Sequence, residues 1–343
     1  MKRKLVAVFV TGILGCLLIV GCAPKESVKI PVRVLILPKF EIGDMDDETF
    51  AEAQLYYNGY VRDGQVYDIP NTAGEGRLYY KDGVALFVTG MGKVKSAVNT
   101  SALLTDDRFD FSDSYILSTG CSGCAAGYGV MGDVYVITAA VDYDLGHHID
   151  PRDMHGEEDT TWIHDSDFDS SAVVFLDEAF TDKVYDLVKD IKPETTEKTR
   201  QFLKDAFPGE PWAVRDPAVL RGTAVTGDDY WKGWYDHKNA VKIVETYKCR
   251  DPFASSDMED VAILQVLSRF GLLERSIVLR DAVDEDVFMM GNTPEQLWGE
   301  SSDTERDYKD DQEYSDIFET AMKNNYEVGK VIIDAILKGD LKK

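Results

Sequence analysis

Two hydrophobic periodicities alternate along this chain. One is the near-continuous apolar run of a strand buried on both faces, and the other is the three-to-four-residue spacing of a helix. Val32-Arg33-Val34-Leu35-Ile36-Leu37 reads as the first strand. Arg77 to Tyr80 and Val84 to Thr89 flank Lys81-Asp82-Gly83, a turn tripeptide that predicts a hairpin. Gly90-Met91-Gly92-Lys93 then opens a helix in which Val94, Ala97, Val98, Ser101 and Leu104 recur at helical spacing. Further strands are predicted at Ser114 to Ser118, Val134 to Thr138, Val219 to Thr226 and Ser276 to Leu279. Helices are predicted within Glu178 to Phe207, at His237 to Thr246 and at Glu259 to Phe270. A long amphipathic helix from Tyr314 to Leu337 counts Phe318, Met322, Tyr326, Ile333 and Leu337 among its apolar positions. Residues 41 to 75 are polar, rich in Gly, Asp and Tyr, and show no period.

Strands alternating with helices imply an α/β domain over residues 31–343, interrupted by an acidic, helix-containing insertion at about 145–215. His147, His148, His155 and His164 all fall in that insertion. His147, His148, Asp150, Asp153 and His155 could make a nitrogen and oxygen metal site, but their spacing matches no zinc pattern, and the expected reading is a solvated loop with no metal.

The N-terminus has a different character. Lys2, Arg3 and Lys4 precede an uncharged apolar run from Leu5 to Gly21, which is the build of a signal peptide (residues 1–21). Its end, Ile19-Val20-Gly21-Cys22, resembles a bacterial lipobox, so Cys22 is expected to carry lipid, with residues 22–30 as a tether and the rest on the extracytoplasmic face of the membrane. An uncleaved anchor helix is the alternative, although the run is short of the roughly 20 residues a spanning helix needs. Of the other cysteines, Cys16 lies in the signal, and Cys121, Cys124 and Cys249 cannot all pair. Cys121-Ser122-Gly123-Cys124 has redox spacing but reads as small packing residues near a pocket.

Charge narrows the partners. Among 343 residues, 37 Lys and Arg face 62 Asp and Glu, a net charge of −25. Phosphate backbones require a basic stripe, so no nucleic-acid partner is expected. No second apolar stretch approaches about 18 residues, so the chain is not itself a multi-spanning channel.

Several predicted strands end in glycine-rich or acidic segments, the positions where open α/β sheets hold ligands. These are Gly90 to Lys93, Ser118 to Gly123, Thr226 to Trp231, Ser256 to Glu259 and Arg280 to Asp284. In this order they resemble the nucleoside phosphorylase superfamily, and within it the purine nucleoside permease family. The superfamily's Gly-x-Gly-Lys, Thr-Gly-x-x-Gly and Gly-Asp-Val are matched by Gly90 to Lys93, Thr119 to Gly123 and Gly132-Asp133-Val134. Its Asp-Met-Glu is matched by Asp257-Met258-Glu259, its Ser-Gly-Asp-x-Phe with departures by Thr226 to Tyr230, and its Arg-x-x-Ser-Asp by Arg280 to Asp284, with Val283 in place of Ser. The resemblance runs from Val32 to about Asp286.

It implies a three-layer α/β/α fold with a mixed central sheet, and a site for purine nucleosides. Asp284 would be the acid at the base, Glu259 and Met258 would hold the ribose, and Tyr230, Trp231 and Asp228 would meet the base. Such an acid suits glycosidic cleavage, in which positive charge grows on the sugar and negative charge on the purine. Glu259 and Asp257 would equally suit the first turn of the following helix. Thr119, Gly120 and Ser122 form the pocket loop and offer donors to phosphate as a candidate co-substrate, with Lys39 and Arg280 the nearest cations. Glu41 is placed to activate water instead. The expected function is extracytoplasmic nucleoside binding in support of uptake, alongside a separate membrane transporter. The alternatives are a phosphorylase or nucleosidase, and a scaffold that lost its pocket. No cofactor is implied, and superfamily members commonly form homo-oligomers.

Overall fold

The computed structural model describes residues 28–47, 50–74, 76–148, 162–163, 172–287 and 312–343. Ten strands join in one mixed sheet. They are β1 (Val34–Leu37), β2 (Gln65–Asp68), β3 (Arg77–Lys81), β4 (Val84–Phe87), β5 (Tyr115–Cys124), β6 (Val134–Asp142), β7 (Val173–Phe175), β8 (Val219–Thr226), β9 (Phe253–Asp257) and β10 (Ser276–Glu285). The helices used below are α1 (Lys93–Leu104), α2 (Glu178–Val188), α3 (Glu197–Ala206), α4 (Trp234–Thr246), α5 (Asp260–Arg269) and α6 (Gln312–Lys338). The sheet order is β7-β6-β8-β9-β5-β1-β4-β3-β2. β10 pairs in parallel with β5 and antiparallel with β6, which closes β6, β8, β9, β5 and β10 into a ring.

Three layers follow from β1, whose four residues are all buried. Leu35 and Leu37 join Ala85 and Phe87 in a core shared with Leu103 of α1 and Leu264 and Leu267 of α5. Val34 and Ile36, on the opposite pleat, join Val84 and Leu86 in a second core with Val184 of α2 and Ile332 and Ile336 of α6. A strand covered on both faces has no polar side, which is why its sequence is an unbroken apolar run. The predicted hairpin is present as β3 and β4, and its turn places Asp82 at φ 50° and Gly83 at φ 88°. Two consecutive positive values suit the right-handed twist of a tight hairpin.

The structure departs from the sequence reading where strands were expected to stop. Thr119 to Gly123 and Arg280 to Asp284 are strand, not loop, because each supplies the other's ladder: Leu279 pairs with Thr119, Arg280 with Gly120 and Asp281 with Cys121. A bulge between Ala282 and Asp284 interrupts the register, and such an extra residue re-aims the side chains around it. The sequence reading assigns no range to β2, to β9 or to a short helical segment, Gln54–Tyr56 running into a π-helical turn at Tyr57–Val61. Within 145–215 lie β7, α2, α3 and a 3-10 turn at Pro211–Val214. Asp150, Asp153, His155, His164 and Cys22 lie outside the described residues. Among those described, no helix is long and apolar enough to cross a membrane.

α6 closes the fold behind the ring of strands. Asn325 is 3% exposed; its amide donates to Asp281 Oδ1 at 2.6 Å, and its oxygen accepts from Tyr56 at 2.7 Å and Thr119 at 2.6 Å. Asn325→Leu would leave these buried partners unpaired, at about 1–3 kcal/mol. The expected result is a lowered urea midpoint with an unchanged slope, and an unchanged midpoint would remove this role.

Candidate functional site

The carboxyl-terminal ends of β5, β9 and β10 and the segment after β1 surround a cavity of about 310 Å³, within the range of small-molecule sites. One wall is Asp257-Met258-Glu259, where β9 passes into α5. Asp257 Oδ1 accepts from the backbone amides of Glu259 at 2.9 Å and Asp260 at 2.8 Å. Asp257 therefore caps the helix, and Glu259 makes no side-chain cap bond and lines the cavity. Glu259 Oε1 accepts from Gly92 N at 3.0 Å and Oε2 from Arg280 at 3.1 Å. Gly92, at φ 86°, is the position of the Gly-x-Gly-Lys turn that brings α1 against this carboxylate.

Arg280, 1% exposed, is the hub. It donates Nε to Asp260 Oδ2 at 2.9 Å and Nη2 to Asp260 Oδ1 at 2.8 Å, and Nη2 also reaches Asp257 and Glu259. Its Nη1 bonds the Cys121 carbonyl at 2.8 Å. Three carboxylates thus surround one guanidinium. Burial, and after it Asp260, pushes Asp257 up to about 7 against the opposing pull of Arg280.

The floor holds two ionisable groups from the segment after β1. Lys39 is 1% exposed, and its ammonium donates to Leu37 O at 2.7 Å, Ser118 Oγ at 2.8 Å and Thr119 O at 3.2 Å. Burial and the nearby Arg280 lower it to about 8. Glu52, which no motif singles out, reaches the cavity: Oε2 accepts from Lys39 N at 2.6 Å and Phe40 N at 3.4 Å, and Oε1 from Cys121 N at 2.8 Å. Glu41, the expected water activator, is engaged elsewhere. Its oxygens accept from the amides of Ile42, Ala51, Ala53 and Gln54, fixing the start of the short helical segment, and it does not line the cavity.

Asp284, near the end of β10, also lines the cavity. Its side chain keeps 42% of its surface, which faces the concavity, and Lys232 Nζ lies 3.7 Å from Oδ2. Depth in the fold raises its pKa, Lys232 opposes the rise and Asp286 adds to it. Val283 packs with Ala321 and Met322 of α6, and the charged neighbour of Asp284 is Lys232. Tyr230 is 89% exposed at the mouth.

Of the other expected residues, all but Ser122 fall outside the cavity or beneath it. Trp231 stacks on Tyr143 with ring centroids 5.0 Å apart and borders only a smaller adjoining recess. Asp228 is exposed and accepts from Lys93 N at 2.8 Å, tying the loop after β8 to the start of α1. Thr119 points to Asn325. Gly120 lies under Glu52, where a β-carbon would come within 2.6 Å of Oε1. Ser122 does line the cavity, and its hydroxyl donates to Asp281 O at 3.2 Å. Asp133 of the Gly-Asp-Val motif is remote; it pairs with Arg215 and accepts from Ala218 N. Cys121 and Cys124 are free thiols pushed well up by burial, which makes them poor nucleophiles.

The fold is nucleoside phosphorylase-like. It superposes on the 5′-methylthioadenosine/S-adenosylhomocysteine nucleosidase of Neisseria meningitidis, solved with methylthio-immucillin-A, with a TM-score of 0.51 and 16% identity over 88% of this chain and 99% of that one. The Streptococcus pneumoniae enzyme with 8-aminoadenine gives 0.53 and 15%, over 89% and 100%. At that identity the likeness is one of fold.

The family model "Purine nucleoside permease (NUP)" matches residues 31–340, and the chain belongs to that family. A probable purine nucleoside permease of Schizosaccharomyces pombe is 26% identical over 227 residues, 59% of this chain and 64% of that protein. The Candida albicans purine nucleoside permease is 24% identical over 222 residues, 59% and 54% of the two chains. The match therefore spans less than two thirds of either relative.

Proposed function

We propose that the cavity binds a purine nucleoside in support of uptake, with ribose against Glu259 and Met258 and the base between Tyr230 and Asp284. The proposal includes a lipid anchor at Cys22 and a separate membrane transporter that receives the nucleoside or its base. The observation that carries the reading is the division of labour in Asp257-Met258-Glu259. Asp257 takes the helix amides, and Glu259 keeps acceptor capacity facing the cavity, which suits the paired hydroxyls of a ribose.

The test is the full chain with a panel of purine nucleosides, followed by melting temperature and by chromatography of free base. Stabilisation is the expected result, and absence of any nucleoside effect would overturn the proposal. Glu259→Gln should weaken binding by roughly 10-fold to 100-fold, the value of a hydrogen bond to a charged group. Unchanged affinity on titration would mean that Glu259 does not hold the sugar.

A second reading, cleavage of the glycosidic bond, is favoured by Asp284. Its raised pKa suits an acid that protonates the departing base.

A further inference from the structure

Backbone amides at the bottom of the cavity converge on one point, and a side chain of the protein already fills it. Lys39 N, Phe40 N and Cys121 N, from two segments far apart in sequence, all donate to the Glu52 carboxylate. Such a convergence is an anion nest. Gly120 leaves the space that the carboxylate needs. We propose that Glu52 is a resident anion in this nest, so that the cavity admits water and excludes phosphate beside the bound ligand. This rests on the nucleoside reading for the ligand, but not for the nest.

The surrounding charges agree. Lys39 directs its ammonium at three protein oxygens, and Arg280 already faces Asp257, Glu259 and Asp260. A phosphate dianion would enter beside Glu52 and Glu259, both of which line the same cavity. Like charges repel more strongly in a partly buried site than in water. Of the sequence's candidates for phosphate, Thr119, Gly120 and Ser122 all lie in the β5 ladder, and Ser122, which lines the cavity, donates its hydroxyl to Asp281 O.

Water meets no such barrier. Burial, the leading influence, raises Glu52 above the ordinary carboxyl range, which suits a proton acceptor. Any glycosidic cleavage here is then hydrolysis. The water oxygen adds to C1′, the C1′–N9 bond breaks with its electron pair going to the base, Asp284 protonates the base, and Glu52 takes the proton that water loses. The products are free ribose and free purine.

The experiment titrates inorganic phosphate alone into the full chain, wild type and Glu52→Ala, by calorimetry and melting temperature. Wild type should show no saturable response. Glu52→Ala should gain roughly 10-fold or more in phosphate affinity, since one charge-assisted hydrogen bond is worth about that factor. Saturable phosphate binding by wild type, or a folded Glu52→Ala indifferent to phosphate, would overturn the proposal. If Glu52→Ala does not fold, the wild-type titration decides alone. No nucleoside is needed, so failure here is distinct from failure of the nucleoside reading.

Discussion

Arg280→Met should cost the folded state about 3–5 kcal/mol, the usual consequence of removing one partner from a buried ion cluster. Arg280 is 1% exposed and holds Asp257, Glu259 and Asp260. Methionine fills much of the same space, so the loss is electrostatic more than a cavity. The pH dependence has a definite sign. Asp257 at about 7 lies above its unfolded value of 3.8, so its protonation contributes stability that is full below 3.8 and lost as pH rises through about 7. Removing the opposing guanidinium raises that carboxyl further. The deficit of Arg280→Met relative to wild type should therefore be smaller on the acid side of about 7 and larger on the alkaline side. Urea midpoints for both proteins across that range check it. A second substitution, Asp260→Asn, should recover part of the loss by lowering the surplus of negative charge. A deficit independent of pH, or no recovery, would mean that the cluster does not work as an opposed set of charges.

Local chemistry was readable from the sequence, and long-range pairing was not. Asp257-Met258-Glu259 is contiguous, and its order along a strand-to-helix junction pointed to the wall that the structure forms there. Asp284 was likewise readable, although not that Lys232 rather than residue 283 would contact it. Thr119 to Gly123 drew notice for its glycines, yet two neighbouring ladders hold it as strand, and glycine-rich composition carries no sign of that. Glu52 was invisible because its partners lie at Lys39, Phe40 and Cys121, and residues 41 to 75 have no period to place it. Glu41 was plausible only while its four backbone donors were unseen. Asp228 has the same history, since its partner amide at Lys93 is 135 positions away in sequence. Asn325 sits on an amphipathic helix where a polar residue suggests solvent, but it is buried against Asp281, Tyr56 and Thr119.

Asp284→Asn should lower any release of free base by roughly 10²-fold to 10⁴-fold, the contribution of a positioned general acid, while leaving nucleoside affinity within a few-fold. Asparagine preserves the shape and an acceptor oxygen but has no proton to deliver at neutral pH. The carboxyl of Asp284 is held above its ordinary range by depth in the fold, against Lys232. It therefore keeps its proton to a higher pH than a surface aspartate, and base release should fall as pH rises through its folded pKa. Lys232→Met removes the opposing charge and should move that falling limb to higher pH, while Asp284→Asn should abolish the limb. A merely structural role for Asp284 would lower release and binding together and leave the pH profile in place. If wild type releases no base, Asp284→Asn should still bind nucleoside, and the acid then acts only as a contact to the purine. Equal release by wild type and Asp284→Asn would remove cleavage through this residue.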